Sequence, residues 1–329
     1  MNLKDIGEFG LIARIAGQVS HRSGVEVGIG DDAAVTRPTD GCLTLITTDM
    51  LVEGVHFDLS MCDPVTLGRK SLSVNLSDIA AMGGESRYFL LSMAVPPSFP
   101  VAFLDSFTRG LLERAEEFGV GLIGGDTCSS KGGLVLSITV IGEQRPERII
   151  RRDGARPGDL IFVTGTLGDS ALGLEMLKQG EPGAFATERH LDPVPRVREG
   201  LALATALLPT AMIDVSDGLA ADLGHILASS AVGARLYVEE IPLSPFFREK
   251  CTPLTDEALS LALAGGEDYE LLFTVPPSRA GEVHPLIARF GTEVTKIGEI
   301  TAGSGLSLLS EEGLEFTLAK KGFNHFNCS

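Results

Sequence analysis

Residues 144–157 read Q-R-P-E-R-I-I-R-R-D-G-A-R-P, and Gly158 and Asp159 extend the same charged, turn-prone run. Prolines, a glycine and clustered charges break strand and helix periodicity together here, so the stretch reads as a boundary between two folded units. The chain length of 329 residues makes the same demand independently, because it exceeds one ordinary core. The expected organisation is a first domain over residues 1–145 and a second over residues 146–329.

Outward from the boundary, both sides alternate strand-like and helix-like patterns. Toward the N-terminus, strands are expected at 134–141, 120–123 and 88–95, with a further one at 43–47 that ends at Asp49. Helices are expected at 101–118, which is clearly amphipathic, and at 64–82. Toward the C-terminus, strands are expected at 160–164, 211–214, 234–238 and 269–275. Helices are expected at 170–178, 196–207, 219–228, 256–264 and 278–290. This alternation predicts an α/β or α+β fold in each half. No short repeat or low-complexity tract interrupts it.

The balance of 27 Lys and Arg against 44 Asp and Glu gives a net charge of −17, with no basic stripe. That argues against a nucleic-acid partner, since phosphate neutralisation needs clustered cations. The five cysteines (Cys42, Cys62, Cys128, Cys251 and Cys328) form no C-x-x-C pair. Neither a disulfide framework nor structural zinc is expected. Acidic residues near the N-terminus and the lack of an apolar run long enough to span a bilayer predict a cytoplasmic protein without membrane partners.

Five segments carry aspartates that do not read as ordinary surface charges: G-I-G-D-D-A-A (28–34), T-T-D-M (47–50), V-N-L-S-D-I-A-A-M-G-G (74–84), L-I-G-G-D-T (122–127) and M-I-D-V-S-D-G-L (212–219). In the third, Asn75 and Asp78 share one face of an otherwise apolar helix. Buried carboxylates are costly and raise one another's pKa, and a divalent cation relieves both problems. Oxygen ligands select magnesium or calcium, and carboxylates at strand ends beside glycine turns suit a metal–triphosphate site.

Taken singly, each motif has a plainer reading. Asp217 reads as well as a helix cap as it does as a ligand. Asp31 or Asp32 fits an Asx-turn. G-T-L-G-D-S (165–170) could cradle phosphate at a helix N-terminus or be a simple capped turn. Glu267 and Asp268, in A-G-G-E-D-Y-E-L-L-F (264–273), read as substrate contacts or as a charged turn. His56 reads as structural or as a site residue. Neither a P-loop nor the protein-kinase motif set is present.

In order along the chain, G-E-F-G-L-I (7–12), G-I-G-D-D-A-A, T-T-D-M-L-V-E-G-V-H-F (47–57), V-N-L-S-D-I-A-A-M-G and L-I-G-G-D-T are followed by V-T-G-T-L-G-D-S-A-L-G-L (163–174). I-D-V-S-D-G-L-A-A-D-L-G-H-I (213–226), G-G-E-D-Y-E-L-L-F (265–273) and K-G-F-N-H-F (321–326) complete the series. This ordered set resembles the thiamine-monophosphate kinases of the PurM-like, or aminoimidazole-ribonucleotide-synthetase-like, superfamily, from about Gly7 to Phe326.

The resemblance implies a two-domain PurM-like fold in a homodimer. The N-terminal domain would bind ATP and magnesium and form an intersubunit β-barrel. The C-terminal α/β domain would complete the nucleotide and substrate site. It implies Mg2+-dependent, direct in-line transfer of the γ-phosphate of ATP to thiamine monophosphate. By residue, it assigns Asp32, Thr47, Thr48, Asp49, Asp78, Asp126, Asp214 and Asp217 to several magnesium ions. Gly125, Asp126, Arg152 and Ser216 are assigned to ATP, and His56, Glu267 and Phe323 to the acceptor. Phe323 would offer a stacking face to the thiazolium but lacks the hydroxyl that tyrosine brings in some members. No residue is assigned as general base, which suits a loose phosphoryl-transfer transition state.

Three relatives fit less well. Selenophosphate synthetase needs a reactive Cys or selenocysteine near the N-terminus, and no cysteine precedes Cys42. The hydrogenase-maturation carbamoyl dehydratase needs a Pro-Arg-Ile-Cys tail, whereas Cys328 lies in Phe-Asn-Cys-Ser. The purine-pathway cyclo-ligase lacks the paired G-G-E-D-Y-E and K-G-F-N-H-F motifs. A non-catalytic nucleotide or thiamine-phosphate sensor is the alternative from another class, and the complete set of acidic residues argues against it.

Overall fold

A computed structural model describes residues 1–20, 22–30, 32–253, 255–310, 315–316 and 322. The chain divides into two compact units, Met1–Ile79 with Gly84–Glu147, and Ala80–Gly83 with Arg148–Ser329.

The first unit contains helix α1 (Leu3–Ala16), a small ribbon of β1 (Val25–Val27) and β2 (Val35–Thr36), then β3 (Leu43–Val52), α2 (Pro64–Ala81), β4 (Glu85–Val95), α3 (Val101–Phe118), β5 (Gly121–Ser129) and β6 (Val135–Gln144). Its main sheet has the order β3-β6-β4-β5, with β3 and β5 at the edges. The β4/β5 pair is parallel and the other two are antiparallel. Two expected strands run longer than their apolar cores suggest. β3 continues through Asp49 to Val52, and β5 continues through Gly125 and Asp126 to Ser129. Ladder pairing carries the polar residues that a hydropathy pattern would leave in loops.

Side-chain alternation in β3 separates two faces. Leu45 and Leu51 are buried, while Ile46 and Met50 are 69% and 58% exposed. Helix α2 lies on the buried face, where Ile79 would meet any Cβ at Gly142. Helices α2 and α3 cross closely because Gly68 and Gly110 have no side chains. A Cβ at Gly68 would stand 2.2 Å from the Phe107 carbonyl oxygen, and one at Gly110 2.0 Å from that of Val65. Arg14 on α1 reaches Asp105 on α3, its Nε donating at 2.9 Å.

The second unit contains β7 (Leu160–Thr164), α4 (Asp169–Lys178), α5 (Phe185–Leu191), α6 (Val197–Thr205), β8 (Ala211–Asp214), α7 (Leu219–Ser230), β9 (Gly233–Tyr237), α8 (Pro245–Lys250), α9 (Asp256–Ala264), β10 (Leu271–Val275), α10 (Val283–Ile287), β11 (Val294–Thr301), β12 (Gly305–Leu309) and β13 (Glu315–Phe316). The sheet order is β13-β12-β9-β11-β7-β10-β8. Only the β12/β9 pairing among these is parallel.

The strands L-I-F-V-T, A-M-I-D and L-L-F-T-V read as continuous apolar runs because both faces of this sheet are covered. Ile161, Val163, Ile213 and Leu272 pack into one core with Leu219, Leu223 and Phe247. Phe162, Met212, Leu271 and Phe273 pack into another with Leu203 and Val283. Phe162 and Phe273 stack at 5.7 Å. The single helix expected over residues 278–290 is instead a 3-10 turn (Pro277–Glu282), α10 and a second 3-10 turn (Ala288–Phe290). Pro285, in the first turn of α10, cannot donate back to residue 281, so the preceding turn and α10 do not merge into one helix.

Candidate active site

The first unit brings several acidic and polar groups together where β3 meets α2. The Thr47 hydroxyl donates to the Asp78 carboxylate. The Asp49 amide donates to Asn75 Oδ1 at 3.1 Å. The Asn75 amide in turn donates to the Ser71 carbonyl at 3.4 Å, which fixes its orientation within the helix. Burial, and then the nearby charge of Asp78, push the Asp49 carboxyl up to about 7. Thr48 faces the other way, accepting from the Thr139 hydroxyl at 3.0 Å and donating to the Ile138 carbonyl at 3.1 Å.

His56 folds back on the end of β3. Its Nδ1 accepts the Val52 amide at 3.0 Å, so its Nε2 carries the proton. Asp32 lies exposed in the turn between β1 and β2. Asp31 lies outside the described residues.

Asp126 is elsewhere on the same sheet. In register, Asp49 aligns with Ile138, Leu91 and Gly125, whereas Asp126 aligns with Ser92, Ser137 and Met50. The Asp49 row carries the buried Ile138 and Leu91, and the Asp126 row ends at exposed Met50. Within the chain, Asp49 and Asp126 therefore sit on opposite edges and project from opposite faces. Gly125 has a structural reason to be glycine, because a Cβ there would lie 1.8 Å from the Leu91 carbonyl oxygen.

In the second unit, Asp214 ends β8 and is buried, while Ser216 and Asp217 occupy the turn into α7. That turn is organised by Asp222, which the sequence reading did not single out. One Asp222 oxygen accepts the amides of Ser216, Asp217 and Gly218 at 3.0–3.1 Å. Burial and the nearby Asp217 push Asp222 up to about 7 despite those donors. Asp217, Asp222 and His225 present ligand atoms within 4.8 Å of one another. The spacing of Asp222 and His225, three residues and about one helical turn apart just after Asp217, is the available signal. Arg152 is exposed, and its carbonyl accepts from Ser230 at 2.8 Å.

The G-G-E-D-Y-E loop is tied to this turn by its backbone. The Glu267 amide donates to the Ser216 carbonyl, the Tyr269 amide to Val215, and the Val215 amide to Glu270, each at 2.8 Å. Asp268 is fully buried and accepts the amides of Gly168 and Ser170 at 2.9 and 3.3 Å. Burial pushes its carboxyl up to about 8. The N-terminus of α4, one candidate phosphate cradle, is thus occupied by a side chain of the protein itself. Glu270 accepts from Arg196, Arg189 and Thr164. Burial alone would raise Glu270, but the two guanidinium groups outweigh it and hold the carboxyl below its usual range. Gly322 lies against Ala221 and the Asp217 carbonyl. Phe323 lies outside the described residues.

No helix among the described residues is long and apolar enough to cross a membrane. Residues 30–144 match the family of AIR synthase related proteins in its N-terminal domain, and residues 156–310 match its C-terminal domain. The thiamine-monophosphate kinase of Escherichia coli K12 is 41% identical over 97% of this chain and 98% of its own. A crystal structure of thiamine-monophosphate kinase from Stenotrophomonas maltophilia superposes with a TM-score of 0.83 at 38% identity, covering 92% of this chain and 96% of that one. AaThiL complexed with AMPPCP and TMP superposes with a TM-score of 0.77 at 33% identity, covering 99% of both chains.

Proposed function

Because the chain belongs to the AIR synthase related proteins and, among them, to the thiamine-monophosphate kinases, we propose that it phosphorylates thiamine monophosphate from ATP to give thiamine diphosphate. The observation that carries this reading is likeness over almost the whole chain, spanning both halves and every acidic motif. Transfer is direct and in line, without a phospho-enzyme.

Magnesium ligation is assigned to Asp32, Thr47, Thr48, Asp49, Asp78, Asp126, Asp214 and Asp217. The donors fit, since all are oxygens, and burial together with the Asp78 charge disfavours the ionised Asp49 carboxylate, which a hard cation would relieve. When bound, magnesium neutralises charge on the phosphoryl oxygens. The chain's own groups provide position. Thr47 orients Asp78, Asn75 fixes the backbone at Asp49, and Asp222 shapes the turn that presents Ser216 and Asp217. Gly125, Asp126, Arg152 and Ser216 contact ATP, and His56, Glu267 and Phe323 contact the acceptor.

The protein acts as a homodimer whose N-terminal sheets pair across the subunits. Two features support this. Ile46 and Met50 stand exposed on the open face of the sheet, and a site using both Asp49 and Asp126 is incomplete within one sheet. A cytoplasmic setting accords with Cys42, Cys62, Cys128 and Cys251, which are free thiols.

The test is a coupled assay with magnesium-ATP and thiamine monophosphate, thiamine or no acceptor. Product from the monophosphate alone is expected. Nucleotide binding without product from any acceptor would overturn the assignment in favour of a sensor.

A further inference from the structure

The G-G-E-D-Y-E loop contains two non-glycine residues in the left-handed region, Glu267 at φ 66° and Tyr269 at φ 52°. Such conformations are unfavourable and persist where surroundings over-determine them. The main chain is held by the hydrogen bonds to residues 215 and 216. The side chains are held from another direction, by helix α5. Of its consecutive residues, Arg189 hydrogen-bonds one carboxylate of the loop and His190 stands beside another. Arg189 Nη2 donates to Glu270 Oε1 at 2.6 Å. His190 Nδ1 lies 3.3 Å from Glu267 Oε2 and 3.1 Å from Ser170 Oγ. His190 is buried, as is Glu270, whereas Glu267 is half-buried at the loop's outer side.

We infer that His190 is a positioning residue for Glu267, so that α5, through one imidazole, sets the orientation of the carboxylate that meets the acceptor. This rests on the reading of Glu267 as an acceptor contact. The chemistry is directional. A carboxylate only accepts, so the contact is attractive when Nδ1 carries the proton, and that N–H is then shared between Glu267 Oε2 at 3.3 Å and Ser170 Oγ at 3.1 Å. Ser170 Oγ borders the same nitrogen and limits rotation of the ring. The Ser170 backbone N–H in turn donates a hydrogen bond to the carboxylate of Asp268, the residue next to Glu267. The loop is thus braced at Glu267, Asp268 and Glu270 by side chains and amides of α4, α5 and the start of α6. A carboxylate held in one rotamer binds its ligand without an ordering cost.

The experiment compares H190A, H190N, E267Q and H190A/E267Q for kcat, KM for thiamine monophosphate, KM for ATP and thermal midpoint. H190A is expected to raise the acceptor KM roughly tenfold, the effect of one charge-assisted hydrogen bond, with the ATP KM unchanged. H190N places an amide donor near the Nδ1 position and should recover most of the loss. The double variant should be no worse than E267Q alone. Should H190A unfold, H190Q takes its place, since its amide reaches the Nε2 position and abandons Nδ1. An unchanged acceptor KM in H190A while E267Q raises it overturns the positioning role and leaves Glu267 in the site. A raised acceptor KM in H190A with E267Q silent overturns both, because His190 would then act other than through Glu267.

Discussion

Asp49 and Asp126 provide a sharp test of how the site is assembled. They lie on the two edge strands of a four-stranded sheet. Three strand spacings of about 4.8 Å separate those edges, so the two backbones stand about 14 Å apart, with side chains on opposite faces. A magnesium ion holds its oxygens at about 2.1 Å, too short to bridge that span within one protomer. If each site takes Asp49 from one subunit and Asp126 from the other, D49N and D126N homodimers should both be near background. A heterodimer of the two, isolated by two different affinity tags, carries both defects in one site and none in the other. It should therefore show about half of wild-type activity. The mirror heterodimer, wild type with D49N/D126N, has one defect in each site and should be inactive. If the carboxylates act within one chain, the two results exchange: the first heterodimer is dead and the second is half active. That exchange would refute the intersubunit site, and gel filtration of each species confirms that dimers are being compared.

Three further outcomes are expected. Glu270→Gln leaves the half-buried Arg189 and Arg196 facing a weaker partner at a buried position and should cost about 3–5 kcal/mol. In a unit of this size that is a fall of roughly 10 °C in the calorimetric midpoint, and a fall under 2 °C would show the cluster to be unimportant. Asp49, raised to about 7 in the fold from near 4 when unfolded, favours its protonated form. Its contribution is therefore fully present below about pH 4 and lost as pH rises through 7. In chelator-treated protein, Asp49→Asn should gain stability over wild type between pH 5 and pH 8, and magnesium should reverse the gain. A pH-independent difference in thermal midpoint would count against the pairing of Asp49 with Asp78. His56→Ala should chiefly raise KM for the acceptor, and an unaltered KM would remove His56 from the site.

Much of this molecule was legible in the chain itself. Helices α3 and α9 run over the residues the pattern predicts, because amphipathic spacing and helix ends are local properties. Strands β7, β8 and β10 of the second unit were legible for a different reason, whereas β11 and β12 were not expected. Burial on both faces demands unbroken apolar runs, and such runs are visible without knowing their neighbours. The acidic motifs were likewise visible one by one, as carboxylates in apolar or glycine-rich settings, although only Asp214 among the assigned aspartates is buried and Asp32 and Asp126 are exposed.

Only the tertiary structure decided how those pieces are used. Asp49 lies within a strand and not at its end, because pairing with β6 extends the ladder past the apolar residues. The meeting of Thr47 with Asp78, and of Asp49 with Asn75, joins residues 26 to 31 positions apart. Asp222 does not stand out in the sequence, because three amides converge on it only once the turn is folded. The turn before α4 could not be told from a phosphate cradle until Asp268, about a hundred residues later, was seen to occupy it. The same holds for Arg189, His190 and Arg196, which read as scattered charges along the chain and become a clamp on one loop in the fold. Local spacing fixes which residues can form an element and which are costly to bury. Which of those costly groups meet is a matter of long-range packing, and that is encoded in no single stretch of sequence.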